Sequence, residues 1–164
     1  MTVADTSAFS FPVRVGHVSI NPVTVRIAAD SRDLERLRQQ WDVLEVRSFD
    51  AEIAITRWKR DGVRLKGHVG VSIVQNCVVT LDPVEQRIDE DFETVFLPEN
   101  SRLASRIVDG NGELFLDPEG PDLPDTFSGD SIDVGAVAAE FAALAIDPVS
   151  AQAWSGLCRP NGKR

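Results

Sequence analysis

From residue 63 to residue 73 every second position is apolar or glycine. Val63, Leu65, Gly67, Val69, Val71 and Ile73 share one parity. A period of two is the signature of a strand with one face buried. A strand running from Val63 to about Asn76 leaves two rows of backbone donors and acceptors to satisfy, so it needs neighbours. The sequence supplies them. A second alternating run at 84–97 puts Ile88, Phe92, Thr94 and Phe96 on one face and Arg87, Asp89, Asp91 and Glu93 on the other. Upstream, Glu52 to Lys59 reads as a strand ending at Asp61-Gly62, a two-residue hairpin signal, because glycine accepts the positive φ of a primed turn. Cys77 to Pro83 breaks the second connection at Pro83.

The other elements are shorter. Val13–Val18 and Thr24–Ala28 read as strands. Asp30 or Ser31 can cap a helix through Trp41, with Leu34, Leu37, Trp41 and Leu44 as its apolar stripe. Arg32, Arg36 and Arg38 fall largely off that stripe and read as a solvated face. Asp109–Gly112 reads as a turn, Glu113–Leu116 as a short strand, and Asp117–Asp130, with three prolines and five acids, as a loop. Asp133 caps a second helix with the stripe Val134, Val137, Phe141 and Leu144, stopped by Pro148. The order predicts an α+β fold: a mainly antiparallel sheet, with an open barrel as its curled form, and two helices. One domain over 1–148 and a loose tail over 149–164 are expected.

Charge is unevenly spread. The chain of 164 residues carries 17 Lys and Arg against 26 Asp and Glu, a net of −9. Residues 1–81 hold 11 bases and 9 acids, residues 82–133 hold 3 and 15, and residues 134–164 hold 3 and 2. The acidity belongs to one segment. The total argues against indiscriminate binding to nucleic acid or membrane surfaces. The most apolar stretch, Gly135–Ile146, is too short to span a bilayer and contains Glu140. Residues 1–12 lack Lys and Arg and do not read as a signal peptide. A cytoplasmic protein with reduced thiols is the expectation, since Cys77 and Cys158 stand far apart without CxxC spacing.

With the turn at Asp61-Gly62, Lys59 faces Arg64 and Arg57 faces Lys66. Arg57, Lys59, Arg64, Lys66 and His68 then share one side, and Trp58, Leu65 and Val69 the other. Two readings stand side by side. The basic side is a phosphate-binding surface, or an edge hairpin kept charged against aggregation. No aromatic residue lies on that side, so base stacking is not expected. Catalytic and metal signals are weak. His68 and Cys77 are an odd number of residues apart, which places them on opposite faces of an unbroken strand. His17, His68, Cys77 and Cys158 lack zinc spacing. Asp89, Glu90, Asp91 and Glu93 alternate in direction and read as a solvated face. Gly62, Gly67 and Gly70 open no helix and make no phosphate loop. No catalytic residue, metal or cofactor is expected.

Two stretches carry a resemblance: GHVGVSIVQNCVVTLDPVEQRIDEDFETVFLP from Gly67 to Pro98, and GDSIDVGAVAAEFAALAIDP from Gly129 to Pro148. Together they resemble the YceD family, named for large ribosomal RNA subunit accumulation, in its alphaproteobacterial branch. The matching positions are Cys77, Thr80, Leu81, Asp82 and Pro83, then Asp130, Ile132, Asp133 and Glu140. Thr80 stands where many relatives carry a second Cys, and a hydroxyl does not replace thiolate softness at a metal. The resemblance implies a non-enzymatic factor that supports 23S rRNA accumulation and large-subunit assembly. Its expected partners are rRNA or a large-subunit precursor, met through Arg57, Lys59, Arg64, Lys66 and His68. The alternative is an acidic module that holds a basic ribosomal protein before assembly.

Overall fold

The computed structural model describes residues 9–77, 80–102 and 124–146. The chain runs β1 (Pro12–Arg14), a 3-10 turn (Val15–His17), β2 (Val23–Ala28), α1 (Ser31–Trp41), β3 (Glu45–Trp58), β4 (Gly62–Asn76), β5 (Pro83–Pro98), β6 (Asp125–Phe127), β7 (Ser131–Asp133) and α2 (Val134–Ala145). Strands β2-β3-β4-β5-β6 form one open sheet, antiparallel except for the β5–β6 pair, and β1 pairs with β7 in a small second sheet. The class is α+β with a mainly antiparallel sheet, and no barrel closes among the described residues.

The alternation read at 63–73 sets the core. Val63, Leu65, Val69, Val71 and Ile73 are buried, opposite Phe49, Ala51, Ile53 and Ile55 of β3 and near Ile88 and Phe92 of β5. Gly67 keeps the same parity for a different reason. A Cβ there would lie 2.7 Å from the Phe92 ring, so the ring takes the place of a side chain. Both helices cover this face. Helix α1 lies on β3 through Leu37, and α2 lies on β4 and β5, where Phe141 stacks on Phe92 at 4.8 Å between centroids.

The helix starts follow the capping rule. Asp30 accepts the Arg32 and Asp33 amides, and Asp33 returns a bond to the Asp30 amide, a reciprocal capping box. Asp42 ends α1 in the left-handed region, so Leu44 lies beyond the helix and is about half exposed. In α2 the buried stripe is Val134, Val137, Ala138 and Ala142, while Leu144 is exposed. Alanines replace larger side chains where α2 approaches the sheet, which removes the need for Leu144.

Several segments differ from the sequence reading. The strand expected at Val13–Val18 stops at Arg14, where Val18 N donates to Val15 O and tightens the chain into the 3-10 turn. Strand β3 begins seven residues before Glu52, because Val46 and Phe49 are buried across a bulge between Val46 and Ser48 that breaks the two-residue period. The loop expected over 117–130 contains β6, which adds to the β5 edge, and is followed by β7. The Asp109–Gly112 turn, the Glu113–Leu116 strand, Pro148 and the tail lie outside the described residues.

Asp133 ties the small sheet to α2. Its Oδ1 accepts the Ala136 amide at 2.9 Å and the Phe11 amide at 2.8 Å, and its Oδ2 accepts the Ser10 hydroxyl at 2.5 Å. Gly135 admits this crossing, since a Cβ there would lie 2.7 Å from Phe11 N. Asp133→Ala is expected to cost about 2 kcal/mol in urea unfolding, and Asp133→Asn less than half of that, because the amide oxygen keeps the cap.

Candidate functional site

The β3–β4 hairpin decides where its charges go. The loop is Lys59–Asp61, with Lys59 left-handed at φ 53°, and Trp58 pairs with Gly62. The reason is steric. A Cβ at position 62 would lie 2.9 Å from Trp58 Cε3 and 3.0 Å from Leu97 Cδ2. Glycine is therefore used in the strand, beneath the Trp58 ring, and not in the turn. This shifts the register by an odd number of residues, so the two strands no longer align as the sequence suggests. Arg57 pairs with Val63, Thr56 with Arg64, Ala54 with Lys66 and Glu52 with His68.

The five basic candidates thus divide. Arg64, Lys66 and His68 stay together on the face of the sheet turned away from the helices. Arg57 falls in register with the core face, past its end, and Lys59 is in the loop. The single basic side expected from the sequence is not formed. Trp58 also moves: it sits on the outer side with Gly62, and Lys59 Nζ lies 4.6 Å from its ring centroid. An aromatic ring therefore lies at the basic tip after all. Arg60, also in the loop and exposed, joins Arg57 and Lys59 there. The contiguous run Arg57-Trp58-Lys59-Arg60 was the available signal for this cluster.

On the outer face, acids meet the remaining bases. In register, Lys66 faces Glu93, His68 faces Asp91 and Gly70 faces Asp89 across to β5. Arg64 Nε lies 3.4 Å from Glu93 Oε1, an ion pair without hydrogen-bond geometry. His68 Nδ1 is 2.7 Å from Asp91 Oδ1, and its Nε2 is 3.4 Å from Asp89 Oδ1. On the β2 side, Arg26 binds Glu52 at 2.5 Å. The acidic row predicted on β5 is there, and it neutralises much of β4. By contrast, Arg57, Lys59 and Arg60 make no ion pair among the described residues.

The side chains gathered at the site are charged ones. Among the described residues, His, Cys, Asp and Glu nowhere gather into a group of three or more that could hold a metal ion. His17 is exposed in the 3-10 turn, His68 lies mid-sheet, Cys77 is buried after β4, and Cys158 is outside the described residues. Asp89, Asp91 and Glu93 share the outer face, while Glu90 points to the opposite side. No helix among the described residues is long and apolar enough to cross a membrane.

The model of the family described as large ribosomal RNA subunit accumulation protein YceD matches residues 65–163, well over half of the chain. The chain belongs to the YceD family. No curated protein and no solved structure matches. The YceD match begins inside β4, so it covers β5, β7 and α2 and leaves out Arg57, Lys59, Arg60 and Arg64. Several of the motif positions quoted for YceD make backbone or capping contacts in this chain. Cys77 N donates to Asp82 O and Leu81 N to Cys77 O, both at 2.8 Å, closing the turn between β4 and β5. The Asp82 amide reaches Thr80 Oγ1 at 3.4 Å. Leu81 sits left-handed at φ 60° and is 73 % exposed, an arrangement that a leucine adopts at an energetic cost. Asp130 O accepts the Val15 amide, Ile132 is buried, Asp133 caps α2, and Glu140 is exposed on α2.

His68 has its pKa raised, first by the hydrogen bond to Asp91 and then by Asp89, against the opposing effect of burial. A raised folded value means that protonated His68 is favoured by the fold. Its contribution is fully present below the unfolded value of about 6.5 and is lost as pH rises through the folded value. An NMR titration should place His68 above the ordinary histidine range, and Asp91→Asn should lower it. An unchanged titration in Asp91→Asn contradicts the assignment.

Proposed function

We propose that this chain is a non-enzymatic factor supporting accumulation of 23S rRNA and assembly of the large ribosomal subunit, and that it contacts rRNA or an assembly intermediate through the β3–β4 hairpin tip. The family description supports the process. The observation that carries the RNA contact is the tip itself: Arg57, Lys59 and Arg60 are exposed at the end of the hairpin and make no ion pair among the described residues, with Lys59 over the Trp58 ring. Cations that owe nothing to neighbouring carboxylates are available for phosphate oxygens. The indole, packed over Gly62, holds the Lys59 cation at the tip. Lys66 extends the site along the outer face. Arg64 and His68 contribute less, because Glu93, Asp91 and Asp89 already neutralise them. The net charge of −9 over the whole chain limits adhesion to nucleic acid at large and orients the tip toward it.

A second reading rests on the outer face, where Asp50, Glu52, Asp89, Asp91 and Glu93 stand exposed. Such a face suits a module that holds a basic ribosomal protein before assembly, with encounter quickened in a salt-dependent way.

Replacing Arg57, Lys59 and Arg60 together with Glu is expected to remove co-sedimentation with large-subunit precursors. Replacing Arg64 and His68 with Gln should leave most of it. Unchanged co-sedimentation of the triple reversal overturns the tip assignment.

A further inference from the structure

Strand β2 is an edge of the main sheet. The Ala29 amide donates to Phe49 O, which fixes which residues of this strand bond inward. In an antiparallel ladder the bonded residues alternate, so Val23, Val25 and Ile27 face β3 with their backbone groups. Thr24, Arg26 and Ala28 turn their N–H and C=O groups outward. None of these six groups has a hydrogen-bond partner among the described residues. Exposed edges of this kind are commonly guarded by a charged side chain, a proline or a bulge. Here Pro22 stands before the strand, and the charge that could guard it is diverted. Arg26 reaches back over β3 to Glu52.

Beside this edge, on the outer face, lies an open groove of about 470 Å³ lined by Arg26, Ala28, Asp50, Glu52 and His68 among others. Its floor is low because Ala28 and Gly70 flank Asp50 in register. The Asp50 carboxylate lies over Gly70, 3.4 Å from where a Cβ would stand, with Asp89 Oδ1 at 3.5 Å from the other side. Two carboxylates thus converge over one glycine. On the opposite face of β2, Val23 is 43 % exposed.

We propose that the β2 edge accepts an extended polypeptide segment of alternating apolar and basic residues, added as a sixth antiparallel strand. Main-chain bonds to Thr24, Arg26 and Ala28 supply the pairing. Lysine or arginine side chains on the outer side cross Ala28 to Asp50, with Glu52, shared with Arg26, beside it. The span is two strand spacings, about 10 Å, within the combined reach of a long cation and a carboxylate. Apolar side chains on the other side cover Val23 and Val25. A second copy of this chain fits less well: it carries a net charge of −9 and would bring its own Asp50 and Glu52 to the same edge. The proposal rests on the acidic-face reading for the sign of its partner and is independent of the RNA contact at the tip.

The test uses the full chain and a capped eight-residue peptide of alternating valine and lysine. Binding should protect the amides of Thr24, Arg26 and Ala28 from hydrogen exchange. Asp50→Asn with Glu52→Gln should weaken binding at least tenfold. So should a peptide N-methylated at each lysine backbone nitrogen, which keeps its charge and loses its donors. Equal binding of the N-methylated peptide, with loss in the double variant, overturns strand addition and leaves the acidic-face reading standing. No binding of either peptide overturns both. Protection of the three amides that grows with protein concentration alone, without peptide, also overturns the proposal, in favour of self-pairing.

Discussion

The pairing of Trp58 with Gly62 is the contact on which the charge pattern of this protein depends. The indole and Leu97 fill the space above Gly62, and this fixes the β3–β4 register. Side chains alternate across a strand, so an odd slip in register exchanges every face. Once Trp58 is set, Glu52 must oppose His68 and Thr56 must oppose Arg64. Lys59 and Arg60 are forced into the loop, and Arg57 past the end of the core. The apolar strands hold the same register from the other face, where Ile53, Ile55, Leu65 and Val69 are essentially unexposed. Slipping the hairpin by one residue would drive this row into solvent, at about 1.5–3 kcal/mol for each side chain.

Much of the sheet was legible because its signal is periodic. The parity of Val63 to Ile73 and of Ile88 to Phe96 gave the two long strands and their faces, and Asp30 and Asp133 gave both helix starts. What escaped is what periodicity does not encode. The bulge at Val46/Ser48 hid the first half of β3. The strands β6 and β7 are three residues each, and their pairing comes from distant partners. The hairpin register was misread for a specific reason: Asp-Gly is the strongest local turn signal, yet here tertiary packing of Trp58 and Leu97 claims the glycine. Local turn chemistry lost to a contact from β5, which lies some 35 residues downstream.

The candidate site inherits that lesson. The residue types of a basic hairpin were readable, but not their grouping. The sheet sorts the charges along its length. Arg64 and His68 are answered by Glu93, Asp91 and Asp89, while the cations at the tip make no ion pair among the described residues. Surface ion pairs of this sort are worth little in stability, typically below about 1 kcal/mol each. Their consequence is electrostatic. They occupy Arg64 and His68 and leave Arg57, Lys59 and Arg60 as cations without an ion pair among the described residues. The motif around Cys77 and Asp82 lies at the far end of the β4–β5 pair, where their backbone groups bond each other, and Asp133 caps α2.

The salt dependence of affinity for a fragment of large-subunit rRNA tests the central claim most directly. Contact through Arg57, Lys59 and Arg60 alone predicts that log K falls against log salt with a slope of about −2 to −3, since each neutralised phosphate contributes about −0.7 to −0.9. The slope should flatten toward zero when the three are replaced by alanine. A steeper slope that survives their replacement would place the RNA elsewhere on the molecule and contradict the account.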